Sequence, residues 1–75
     1  NDPDEALVYY QKLLEEYPQS ASKGLVHLKM GFAYEDMEDR SNAEAMYRLV
    51  LQEHGSQSRL GQLATQRLHT FSDEP

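Results

Sequence analysis

Apolar residues recur along this chain at three- and four-residue intervals, the spacing that lines one face of an α-helix. Four such stretches are separated by short polar segments or by a proline or glycine stop. The first opens at Asp2-Pro3-Asp4-Glu5, where Asp2 can cap, Pro3 suits the first helical position and Glu5 can reach back as a capping-box partner. Ala6, Tyr10, Leu13, Leu14 and Tyr17 follow at helical spacing, and Pro18 halts the helix. After the polar loop Gln19-Ser20-Ala21-Ser22, a second helix places Leu25, Leu28, Phe32 and Glu35 on one side. His27, Met30, Gly31, Tyr34 and Met37 form an adjoining stripe, so neighbours are expected on two faces. The acidic run Glu35 to Asp39 opposes the dipole at its C-terminal end, which predicts fraying there. The third helix begins at a capping box, Ser41 with Glu44, and carries Ala43, Met46, Tyr47, Val50, Leu51 and His54 as its buried stripe. Gly55 is its expected left-handed stop. The fourth runs from about Ser56 to Thr70 with Leu60, Leu63, Ala64, Leu68 and Phe71 on one face and Gln, Arg and Thr elsewhere. Asp73-Glu74-Pro75 reads as a loose tail. Strand-like alternation and hairpin dipeptides are absent.

The pattern repeats. A shift of 37 residues superposes Asp2 on Asp39, Ala6 on Ala43, Tyr10 on Tyr47, Leu14 on Leu51, Glu16 on Glu53, Gly24 on Gly61 and Asp36 on Asp73. The phase matters more than the count. A small Ala, an aromatic four residues on and a helix stop twelve after the Ala occur twice, as Ala6-Tyr10-Pro18 and Ala43-Tyr47-Gly55. Alanine lets a neighbouring helix approach, and the ring one turn later fills the gap beside it. Periods of this length point to a helical solenoid.

On these residues the chain resembles the tetratricopeptide repeat (TPR) family. His27, Met30, Gly31, Tyr34, Ala43, Tyr47 and Gly55 occupy the family's signature places, with His27 for a large aromatic, Met30 for Leu and Gly55 for Pro as departures. The resemblance covers roughly residues 4–55. It implies an all-α fold of TPR-like antiparallel helix pairs, four helices in a short solenoid fragment. A single helical domain over 1–75 would then divide into 3–17 as the second half of a repeat, 22–55 as one full repeat, 56–71 as a polar-faced capping helix and 72–75 as a tail. Glu16-Tyr17-Pro18-Gln19-Ser20 and the long period are similar to bacterial envelope members, the Tol-Pal system TPR protein and the β-barrel assembly lipoproteins among them. That narrower likeness implies a place in the bacterial periplasm or cell envelope.

Seventy-five residues bound the answer to one small domain, which buries only about 60–65% of its unfolded surface and is modestly stable. The absence of cysteine excludes disulfides and thiolate chemistry. The chain begins at Asn1, not methionine, and is expected to be a piece of a longer protein or a processed product. A net charge of −6 disfavours duplex nucleic acid and anionic membrane surfaces and suits a basic or apolar protein partner. The basic residues Lys23, Lys29, Arg48, Arg59 and Arg67 are scattered, not striped, so no nucleic-acid footprint is expected. No apolar run reaches the roughly 18–20 residues that span a bilayer, so direct membrane insertion is not expected.

Candidate catalytic chemistry is sparse. His27, His54 and His69 lack the four-residue spacing of a helical zinc pair, and Glu53-His54 lacks a zincin's second histidine. His27 and His54 are expected as semi-buried rings in aromatic slots and His69 as solvent-facing. The pairs Glu15/Glu16, Glu35/Asp36 and Glu38/Asp39 sit at helix ends and in a turn, where water solvates them. Ser20, Ser22, Ser56 and Ser58 flank helix starts, as caps do. Neither a Gly-x-Ser-x-Gly elbow nor a phosphate-cradling loop is present. Gly24, Gly31 and Gly61 fall inside helices, where close packing is the expected reason. No catalytic residue, metal or cofactor is therefore expected.

What remains is a surface. The family register implies a groove lined by Leu25, Leu28, Lys29, Phe32, Glu35 and Asp36. Leu25, Leu28 and Phe32 would form an exposed apolar patch of the kind that marks interfaces. A carboxylate clamp, which needs Lys and Asn at the positions of Leu28 and Phe32, is not implied. The expected function is a non-catalytic scaffold that docks a protein or peptide segment. The alternative is a structural or self-associating element in which the same face pairs copies of the chain or covers flanking repeats.

Overall fold

The computed structural model describes residues 2–19 and 21–72, and its described residues form four helices: α1 (Pro3–Glu16), α2 (Lys23–Asp36), α3 (Arg40–His54) and α4 (Arg59–Ser72). No strand occurs among them. The expected 73–75 tail and the expected cap Ser20 lie outside the described residues, whereas Ser72 ends α4.

Local chemistry sets the boundaries. The Asp2 carboxylate accepts from the Asp4 backbone N–H at 2.9 Å, and Pro3 opens α1 where a missing N–H costs nothing. The helix stops at Glu16, two residues before Pro18. The expected Ser41 cap is corrected: Asp39 caps α3, accepting from the Asn42 N–H at 3.3 Å and from its amide at 2.7 Å. An aspartate two residues earlier outcompetes the serine because its two oxygens serve two donors. The fourth helix begins at Arg59 instead of Ser56, with Ser58 Oγ accepting from the Gly61 N–H at 3.0 Å.

A tight turn closes the acidic end of α2. Glu38 adopts a positive φ of 60°, and the Asp39 N–H reaches back to the Tyr34 carbonyl at 2.8 Å, while Glu38 N–H donates to Glu35. This wrap satisfies the last carbonyls despite the unfavourable charge. Gly55 ends α3 at φ 80° and ψ 160°, an extended left-handed conformation beyond the ordinary helical stop, and one that only glycine adopts without strain.

Short connections fold each helix back on its predecessor. The second helix touches α1, α3 and α4, so it is the centre of the stack. One buried cluster joins Leu28, Ala43, Tyr47, Val50 and Ala64, with Leu51, Leu60, Leu68 and Phe71 packed around it. A smaller one joins Leu7, Met30 and Ala33, with Tyr10, Leu14, Val26 and Met46 around it, and Tyr34 borders both. Leu7, outside the expected first stripe, is thus that helix's buried residue. Tyr17, Met37 and Leu63, expected in stripes, are exposed, Tyr17 because it caps α1 outside the packed turns.

Two glycines are set by their neighbours. A Cβ at Gly31 would run into the ring of Tyr47, with Cζ only 2.7 Å away, and Tyr47 is wholly buried. A Cβ at Gly61 would strike the backbone carbonyl of Gly55. The repeat's small-residue-and-ring arrangement is therefore a physical notch, with the Tyr47 ring seated against bare backbone.

Candidate functional site

Three ties fix the helices around the core. Glu35 on α2 accepts from Tyr47 Oη on α3 and from Arg67 on α4, at 3.1 Å from Nε and 2.5 Å from Nη2. Burial pushes the Glu35 carboxyl up, but the bonds from Arg67 and Tyr47 outweigh it and hold the group below its ordinary range. Burial, then the bond and charge of Glu35, pushes the Tyr47 phenol up. The bond and charge of Glu35 likewise raise Arg67. His27, 7% exposed, lies with Nδ1 2.8 Å from Glu53 Oε1, so its expected slot is filled and its polar atom partnered. Arg40 donates to the Phe71 carbonyl, and its guanidinium stands 5.2 Å from that ring's centroid. These contacts are structural. His54, expected semi-buried, is exposed and lies over Gly24, and His69 is exposed. Among the described residues no group of three or more His, Cys, Asp or Glu is arranged to hold a metal, and no helix is long and apolar enough to cross a membrane.

The six expected groove residues do not stay together, and Leu25 lies exposed outside the concavity that three of them line. Leu28 is 2% exposed and belongs to the core, so it cannot line an open face. The expectation of a three-residue patch is corrected accordingly: α2 turns Leu28 toward α3, leaving Leu25 and Phe32 each 40% exposed. Glu35 is turned away as well, its carboxylate consumed by Tyr47 and Arg67. Lys29, Phe32 and Asp36 do come together, one helical turn apart on α2. They form one wall of a shallow concavity of about 800 Å³.

The opposite wall is α1, which contributes none of the six expected groove residues. Ala6, Tyr9 and Tyr10 supply apolar surface, and Asp2 and Glu5 supply charge. Tyr9 is 60% exposed and its ring packs 5.8 Å from that of Tyr10, centroid to centroid. The signal for Ala6 and Tyr10 was present in the repeat itself, since they stand in register with Ala43 and Tyr47. Nothing in the sequence pattern marks Tyr9. The concavity presents aromatic faces, a rim of three carboxylates and one ammonium. It is open, and no nucleophile–base pair converges in it. Such a surface can cover apolar side chains and attract positive charge.

A tetratricopeptide repeat family model matches residues 1–20 and 26–56. No curated protein matches the chain, and no solved structure does.

Proposed function

The chain belongs to the tetratricopeptide repeat family, whose members generally mediate protein–protein interaction, and on that premise we propose that it is a non-catalytic module docking a partner segment in the concavity between α1 and α2. The observation that carries this reading is the exposed aromatic surface of Tyr9 on α1 and Phe32 on α2, both lining one concave site. Exposed apolar surface of this kind is retained where a partner covers it. The acid rim selects a basic partner, as the net charge of −6 does at longer range. The narrower likeness to bacterial envelope members draws no support from the matches and adds nothing to this reading.

Self-association through the same face is the second reading, and the large exposure of Tyr9, which lines it, supports it. Sedimentation velocity across a hundredfold range of concentration separates the two. A species of 8.6 kDa throughout supports the docking module. For docking itself, wild type and Phe32→Asp are immobilised after matched thermal melts and exposed to cell extract. Recovery of bound protein falls at least tenfold for the variant if the face is the site. Equal recovery from both folded proteins rejects it.

A further inference from the structure

The buried faces of α3 and α4 share one phase. On α3 the buried positions are Ala43, Tyr47 and Val50, spaced by four and then three residues. On α4 they are Gly61 and Ala64, three apart, and the partly buried Leu68 and Phe71 follow at four and three. Carrying the alternation on from Val50 gives His54, then Gln57, then Gly61. It meets the α4 series without a slip, although Gly55 to Ser58 lie outside both helices. A reversing loop places no demand on this phase. A single helix through the linker requires it, to keep both faces on one stripe. No proline lies between Pro18 and Pro75, so the linker is able to enter a helix, as the α1–α2 connection with Pro18 is not. The α2–α3 turn is closed by the successive backbone N–H groups of Met37, Glu38 and Asp39. The α3–α4 linker is held by less. Gly55 N–H makes an ordinary helical bond to Leu51, and Ser58 Oγ joins the Gly55 carbonyl and the Gly61 N–H.

We infer that α4 is exchanged between two copies of this chain, with Gly55 to Ser58 straightened and α3 and α4 fused into one helix of about 50 Å. Because α4 folds back on α3 within one copy, the two long helices run antiparallel, each α4 lying on the other copy's α3. Every tie of α4 is made again across the pair. Arg67 meets Glu35, Arg40 meets the Phe71 carbonyl, and the rings of Tyr47 and Phe71 stand 6.1 Å apart, centroid to centroid. The exchange therefore needs no open face. What changes is the linker, above all Gly55, which leaves φ 80° for a helical value. The exposed polar residues His54 and Gln57 mark the crossing of the two helices. This pairing is independent of the docking reading, because Tyr9 and Phe32 keep their places on α1 and α2.

The test refolds wild type and Gly55→Ala from denaturant at micromolar and at millimolar concentration and sediments each. Alanine is strained at φ 80° and prefers a helix more than glycine does, so it penalises the turn and aids the straight form. The expected result is a species of twice 8.6 kDa that grows with refolding concentration, its association constant at least tenfold higher for Gly55→Ala. Dimers refolded from mixed isotope-labelled and unlabelled wild type show intermolecular NOEs between Tyr47 of one copy and Phe71 of the other. Glu35→Arg and Arg67→Glu proteins refolded together pair at least tenfold in excess over either alone, because opposite charges meet at both junctions only in the exchanged heterodimer. Monomer alone in wild type and Gly55→Ala at every concentration overturns the inference and leaves the docking reading to the Phe32→Asp recovery experiment. A dimer without the Tyr47–Phe71 NOEs, or one abolished by Tyr9→Asp, is a face-to-face pair and also overturns it. If Gly55→Ala does not fold, the wild-type NOEs decide.

Discussion

At the scale of single residues, three helical glycines look alike in the sequence and are not alike in space. Each should gain up to ~1 kcal/mol of helix propensity on mutation to alanine, other things equal. At Gly31 other things are not equal, because the new methyl meets the Tyr47 ring, which is fully buried and has nowhere to go. Overpacking of this kind costs ~1–3 kcal/mol, so Gly31→Ala should be net destabilising by about 1–2 kcal/mol. At Gly24 the obstacle is the His54 ring, which is exposed and can swing into solvent. Gly24→Ala should therefore fall between neutral and stabilising by up to ~1 kcal/mol. Urea denaturation of the two variants checks the contrast, and a Gly31→Ala protein at least as stable as wild type would refute the notch. The sequence announced that these glycines pack closely. It could not say against what, because whether a ring yields depends on its own burial, which a one-dimensional pattern does not contain.

At the scale of elements, helix existence was legible and helix ends less so. Strong apolar spacing located all four helices, and Pro18 and Gly55 punctuated the first and third. Ser41 and Glu44 imitate a capping box two residues beyond the true cap of α3, Asp39. Asp39 wins because it already sits in the turn that closes α2, where its own N–H binds the Tyr34 carbonyl. One residue thus finishes one helix and begins the next. Asp39→Ala should cost about 1 kcal/mol, whereas Ser41→Ala should stay within about 0.5 kcal/mol of wild type. Equal losses in chemical denaturation would return the cap to Ser41. The same turn supplies donors to the last carbonyls of α2, a local feature that the charge pattern alone does not contain.

At the scale of the whole molecule, 39 × 29 × 17 Å, the shared carboxylate of Glu35 gathers α2, α3 and α4. Helical spacing alone places it beside Leu25 and Phe32 on the groove side, whereas Arg67 from a later helix engages its carboxylate. Half of the candidate site was legible for a related reason. A helix reports its own face in its sequence, so Lys29, Phe32 and Asp36 could be read, but the facing wall on α1 required knowing how two helices meet. The tie at Glu35 has a pH signature. A carboxyl held below its ordinary value of 4.5 contributes stability that is complete above that value and is lost as pH falls through the folded group's own range. A phenol held above 10.0 contributes stability that is complete below that value and is lost as pH rises beyond it. Stability is therefore expected to plateau between these limits, with Glu35→Gln costing about 1–2 kcal/mol on the plateau once Arg67's solvent exposure is allowed for, and flattening the acid limb. Thermal melts from pH 2.5 to 7 measure this, and an unchanged acid limb in Glu35→Gln would show that the carboxylate does not link the helices.

The seating of the Tyr47 ring on Gly31 also makes an evolutionary demand. Positions 31 and 47 share one fixed volume, so descendants of this chain are free to vary them only as a pair. A larger residue at 31 calls for a smaller one at 47, yet shortening 47 removes the hydroxyl that Glu35 binds, so the permitted paths between alternatives are few and the combination should persist as an inherited unit.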